Sequence, residues 1–227
     1  MLKSAAILVV LLFCIPAILT LAYLPSFVHP VSTLMIGRYA TGKPVERVWV
    51  PLARIDPVLA RSVLMSEDGR FCSHFGIDLV EMRNAVVSGL KGERARGAST
   101  LSMQTARNLF LTNSRVLVRK IIEIPLAIHL DLFLPKRRIM EIYLNIAEWG
   151  DGIFGAEAAA RHYFRTSAAD LTPRQSALLA AALPNPFTRN PARPNRAMHR
   201  VALVIESRAA KSGGYVDCLE KKAWWPF

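Results

Sequence analysis

Acidic residues are scarce here: 17 Asp and Glu stand against 29 Lys and Arg over 227 residues, a formal charge of +12. That shortage excludes an acidic, cation-collecting surface and favours anionic lipid, phosphate or nucleic acid as partners. Cysteine is also scarce. Cys14, Cys72 and Cys218 lack zinc-type pairing and are too few for a disulfide framework. A single Cys72–Cys218 bridge in an oxidising compartment stays open. Internal repeats, an RNA-binding signature and a convincing series of strands are all missing. What remains is helical periodicity, so the expected fold class is all-α.

The hydrophobic fraction, 52%, is high, and the N-terminus explains much of it. Ala5 to Leu24 holds no charge and is interrupted only by Pro16 and Thr20. Such a run is long enough to span a bilayer. Lys3 before it favours a cytoplasmic start. A cleavable signal peptide competes, but Leu21-Ala22-Tyr23-Leu24-Pro25 offers no clean small-x-small site. The expectation is an uncleaved anchor over 1–24, a linker or entry segment over 25–50 and one folded domain over 51–227. Export of that domain argues against nucleic acid.

Cap residues divide the domain. Asp56-Pro57 opens a helix that runs into Glu67-Asp68. Asp78 and Glu81 start a helix over 79–90 that stops at Lys91-Gly92. Ser99 or Thr100 caps the next, through about Phe110. A long pattern restarts near Asn113-Ser114 and reaches Leu134, with Pro125 kinking it. Pro135 opens another through Asn145. Gly150, Gly152 and Gly155 read as a loop before an alanine-rich helix over 156–163. Thr172-Pro173 and Asn195 open the last two, with a proline-rich loop between them.

The stretch Ser66-Glu67-Asp68-Gly69-Arg70-Phe71-Cys72-Ser73-His74-Phe75-Gly76-Ile77-Asp78 is a mixture no core helix needs. Its bland reading is a solvated helix end and a loop. Glu67 falls near a helix C-terminus, where the dipole disfavours a carboxylate and raises its pKa. Glu123, preceded by Arg119 and Lys120 on the same helix face, is a candidate partner acid; alone it reads as an ordinary helix salt bridge. Two carboxylates on separate elements suit sugar chemistry. Gly97-Ala98-Ser99-Thr100-Leu101-Ser102-Met103-Gln104 offers hydroxyls, an amide and free backbone N–H groups at a helix start, a ready anion site. Simple N-capping is the alternative there. Arg107 and Arg115 follow it.

These segments resemble the ordered motifs of the peptidoglycan glycosyltransferases. Glu67-Asp68-x-x-Phe71-x-x-His74-x-Gly76 is similar to the first, Gly97-Ala98-Ser99-Thr100-x-x-x-Gln104 to the second and Arg119-Lys120-x-x-Glu123 to the third. Ile139 to Asn145, with Gly150, Gly155, Glu157, Ala158 and Ala159, is similar to the fourth. Leu178 to Pro184, with Asn190-Pro191, is similar to the fifth. The second motif departs from the family pattern: Ala98 replaces a glycine, and Leu101-Ser102-Met103 replaces Ile-Thr-Gln. With one short anchor and no second domain, the chain resembles the monofunctional transglycosylases.

The resemblance implies a lysozyme-like helical lobe, a smaller membrane-facing lobe, and polymerisation of lipid II into glycan strands. Undecaprenyl pyrophosphate is then the leaving group. It implies catalytic roles for Glu67, as general base, and Glu123, near the pyrophosphate or a divalent ion (Mg or Mn). Arg70, Ser99, Gln104, Arg107, Arg115 and Lys120 would bind substrate, supported by Asp68, Phe71, His74, Thr100 and Asn108. No organic cofactor is implied. The partners are the lipid, the growing strand, the bilayer and cell-wall or division proteins, with the domain outside the inner membrane. A lytic glycan-cutting enzyme and an anchored non-enzymatic scaffold are the alternatives. The first would not need the phosphate-binding cations, and the second would tolerate loss of Glu67.

Overall fold

The computed structural model describes residues 14–92, 97–112 and 117–220, with the side chains of residues 117 and 118 excepted. The first nine residues of the N-terminal apolar run, 5–13, lie outside it. Residues 14–22 are helical, and among the described residues no helix is long and apolar enough to cross a membrane.

The segment expected as a linker carries structure. Helix α1 (Thr33–Ala40) is capped by Ser32. It docks through Thr33, whose hydroxyl donates to the Leu111 carbonyl at 2.6 Å and the Asn108 carbonyl at 3.2 Å. Just before it, the buried Arg138 guanidinium donates to the carbonyls of Tyr23 and Pro25, fixing the path of the chain.

The helices begin where the capping chemistry puts them. α2 (Pro57–Glu67) starts with Asp56 accepting from Val58 N–H and Pro57 in the first turn. α3 (Leu79–Leu90) starts with Asp78 accepting from Val80 and Glu81 N–H. Thr100, not Ser99, caps α4 (Leu101–Phe110). α5 (Leu117–Phe133) contains Pro125; its expected start at Asn113-Ser114 falls outside the described residues. α6 (Lys136–Ile146) and α7 (Ala156–Phe164) follow. α8 (Pro173–Ala182) has a full Thr172–Gln175 capping box, and Asn195 caps α9 (Arg196–Ala210). α2, α8 and α9 pack together, and α4 packs on α5 and α6. One continuous apolar core includes Leu59, Leu64, Phe71, Leu130, Ile142 and Trp149.

The expectation of an all-α domain needs one correction. The glycine-marked stretch after α6 is a small sheet rather than a loop. β1 (Glu46–Arg47) pairs in parallel with β3 (Ile153–Phe154), and β2 (Glu148–Gly150) pairs antiparallel with β3. Strands this short leave no alternating pattern to read, and the parallel partner is far away in sequence. Among the described residues the domain is mostly helical with this one sheet.

Cys72 and Cys218 form a disulfide, closing the bridge that composition left open. It ties the loop after α2 to α10 (Asp217–Glu220).

Candidate active site

α2 ends at Glu67, so its last side chain projects where the chain turns away from the helix. Asp68, the C-cap, locks that turn. Its carboxylate receives His74 Nε2 at 2.9 Å and Leu101 N–H at 2.8 Å. His74 is therefore an internal hydrogen-bonding residue, and Asp68 orders the backbone. Thr100 joins the first two motifs from the other side by donating to the Gly76 carbonyl at 2.6 Å. Gly76 has φ +71°, and a Cβ there would meet Ile128 Cα of α5 at 2.6 Å. Only glycine permits that approach. Phe71 is buried under the Lys136 ammonium, 4.3 Å from its ring centre.

Asp131 is the residue that sequence reasoning missed. Its buried carboxylate accepts from Gly76 N–H, from Ser102 Oγ at 3.0 Å and from Lys136 Nζ at 2.8 Å. It thus fixes the loop after α2 to α4, α5 and the start of α6. The available signal was an isolated acid in the apolar run Leu126–Phe133, since buried carboxylates are nearly always paired.

Around Glu67 the hydrogen bonds run in a chain. Gln104 Nε2 donates to Glu67 Oε2 at 3.0 Å, and Tyr143 Oη donates to Gln104 Oε1 at 3.0 Å. Tyr143 is fully buried, and its phenol is pushed well above the ordinary value by that burial. Burial also raises the Glu67 pKa. The Gln104 and Ser66 hydrogen bonds, and the positive charges of Arg189 and Arg107, oppose the rise. The expected upward direction holds, but desolvation leads it rather than the helix end.

Glu67 opens onto a cleft of about 570 Å³, a size suited to a sugar-scale ligand. Asp68, Arg70, Ser99, Thr100 and Gln104 line it with Glu67, so two of the sequence motifs converge there. Arg70 Nε lies 3.2 Å from Asp78 Oδ2. Pro184 and Arg208 close the cleft from the C-terminal side.

Other expected site residues lie elsewhere. Glu123 does not line this cleft; it is 1% exposed and sits 3.1 Å from Arg119 Nη1, the i,i+4 ion pair of the blander reading. Lys120 points outward. Asn108 contributes its carbonyl to the anchoring of α1. Arg107 acts on Glu67 through its field, and Arg115 lies outside the described residues. Glu141, Asn145 and Glu157 are scaffold: they accept from Leu52, Val50 and Ala168 N–H respectively. Leu109 is buried in the core.

Among the described residues, no three His, Cys, Asp or Glu side chains group to hold a metal ion. At Glu123 the neighbour is a guanidinium, which repels a cation and supplies no ligand.

Comparison with known proteins agrees with this arrangement. The transglycosylase family model matches residues 34–209. The biosynthetic peptidoglycan transglycosylase of Mesorhizobium japonicum is 56% identical over 220 residues, covering 96% of this chain and 93% of its own length. The protein of that name in Rhizobium meliloti is 57% identical over 197 residues, covering 87% of this chain and 84% of itself. That of Brucella suis is 54% identical over 211 residues, covering 93% and 94%. A family match across most of the domain, and relatives aligned nearly end to end, place this chain in the transglycosylase family.

Proposed function

We propose that this transglycosylase polymerises lipid II into peptidoglycan glycan strands, with Glu67 as the base that activates the acceptor sugar. The carrying observation is the Glu67 carboxylate itself. It opens on the cleft, is oriented by Gln104, is raised in pKa by burial and is kept ionisable by two arginines. A base tuned toward the working pH is what an alcohol nucleophile needs.

In this reading Glu67 takes the proton of the acceptor 4-hydroxyl. The new bond forms from that oxygen to C1 of the growing strand as the C1–pyrophosphate bond breaks. The proton stays on Glu67, and the leaving group carries away the negative charge. Arg70, which lines the cleft, and Arg107, whose charge reaches Glu67, are cations for that charge, and Arg115 and Lys120 take the same role by the family resemblance alone. Ser99 and Gln104, at and beyond the N-terminus of α4, hold sugar or phosphate oxygens. Glu123 acts through Arg119, ordering the cations of α5.

The fold is read as a lysozyme-like lobe with a membrane-facing side. α3 supports the second part: none of its residues is buried, and Leu79 and Leu90 are 68% and 84% exposed. The apolar run Ala5–Leu24 supports a single-pass inner-membrane anchor with the domain on the outer side.

The test is the full chain in detergent with labelled lipid II, with and without a divalent ion. A lysozyme-digestible polymer is expected, and Glu67→Gln should give none while keeping its circular dichroism. Substantial polymer from Glu67→Gln would sink the base assignment. Cleavage of preformed glycan without synthesis would point to the lytic reading.

A further inference from the structure

The cleft holds two charges that the proposed chemistry leaves unused. Arg208 stands in the last turn of α9, and Glu81 stands in the first turn of α3. Both are exposed, and both line the cleft that contains Glu67. Among the described residues neither forms an ion pair, with the other or with anything else. Their neighbours Arg70 and Asp78, on the same cleft, do pair. One cation and one acid therefore border the same cavity unneutralised.

Each has a modest structural use, since an acid suits a helix N-terminus and a cation a C-terminus. That use is met at any exposed terminal position. It does not require both groups to border one cleft. A phosphate would suit Arg208 taken alone. Glu81, unpaired on the lining of the same cleft, disfavours a group carrying two negative charges beside it. A group bearing one charge of each sign meets no such penalty.

Resting on the reading that the substrate is a peptide-bearing disaccharide lipid, we propose that Arg208 and Glu81 form a subsite for an amino-acid zwitterion in that peptide. The guanidinium receives the carboxylate through its paired N–H donors, and the Glu81 carboxylate receives the ammonium. The two residues then select substrate by its peptide while Glu67 performs the transfer.

The experiment uses the full chain and three lipid substrates. One carries a peptide residue with free side-chain carboxylate and ammonium, one has that carboxylate amidated, and one is the disaccharide lipid without peptide. Arg208→Ala should raise KM for the zwitterionic substrate about 10-fold, with kcat nearly constant and Arg208→Lys partly restoring it. It should leave the other two substrates unchanged. Glu81→Gln should raise KM for both peptide-bearing substrates, since each keeps the ammonium, and leave the peptide-free lipid unchanged. An equal KM rise on the peptide-free lipid would assign Arg208 to phosphate and overturn the proposal. No change on any substrate, in variants that melt like the parent, would overturn it as well. If the unaltered chain polymerises none of the three, the functional reading itself fails, which is a separate result.

Discussion

Replacing Gln104 with Ala tests the hydrogen-bond chain at Glu67 most directly. In the folded protein Gln104 donates to the carboxylate at 3.0 Å and accepts from the buried Tyr143 phenol at the same distance. The first bond favours the ionised form of Glu67, so its loss removes one of the influences that oppose burial. A hydrogen bond to a charged group contributes about 1.5–3 kcal/mol, which corresponds to roughly a 10- to 100-fold loss of rate at any pH where ionisation of Glu67 limits turnover. The acid limb of the kcat/KM profile should move to higher pH, and the loss should shrink as pH rises past it.

The second bond gives an independent signature. A buried phenol without a partner costs about 1–3 kcal/mol, a fall in Tm of roughly 2–10 °C for a domain of this size. Tyr143→Phe in the same background removes the orphaned hydroxyl and should recover part of that Tm without restoring the acid limb. Linkage adds a sign. The folded-state pKa of Glu67 lies above its ordinary value, so the folded protein binds more protons between the two. This group's contribution to stability therefore falls as pH rises through that window, and the fall should deepen in the variant. An acid limb that stays in place, or moves to lower pH, would refute the role given to Gln104.

Asp131→Ala leaves the Lys136 ammonium, Ser102 and Gly76 N–H without their shared acceptor; urea titration should show a loss of about 3–5 kcal/mol, and a loss under 1 kcal/mol would show the site is wetter than its burial implies. Gly76→Ala drives a Cβ into the backbone of α5 at positive φ, so soluble yield and Tm should both drop, with strain of about 1–3 kcal/mol before any clash; an unchanged Tm would mean the loop has another path. Arg119→Ala strands the buried Glu123 carboxylate and should lower Tm together with turnover, whereas lost turnover at unchanged Tm would mean Glu123 acts on substrate directly.

The helix boundaries were legible because capping is local. Asp56, Asp78, Thr100, Thr172 and Asn195 each bind N–H groups within three residues, so a short window holds the whole signal. The resemblance brought Glu67 and Gln104 into one site, but not their direct bond, which joins residues 37 apart in sequence. The sheet stayed hidden for the same reason: β1 and β3 pair across about a hundred residues and span two residues each. Arg189 and Arg208 carried no local mark, because a basic side chain in a basic protein reads as solvated surface until the fold places it beside an acid. Glu123 shows the converse. Its motif was plain, yet the cleft beside Glu67 does not include it.

The Cys72–Cys218 bond closes a covalent ring that holds α3 to α9 and every cleft-lining residue except those from Met65 to Arg70. Glu67 stands just outside the ring, joined to it only by the few residues before Cys72. A protease that cuts once anywhere between 73 and 217 therefore releases nothing: the pieces stay one molecule and migrate as one band until a reductant separates them. A cut between 67 and 72 has the opposite effect. It detaches the base from the rest of the cleft, and only non-covalent packing then keeps the two halves of the site together.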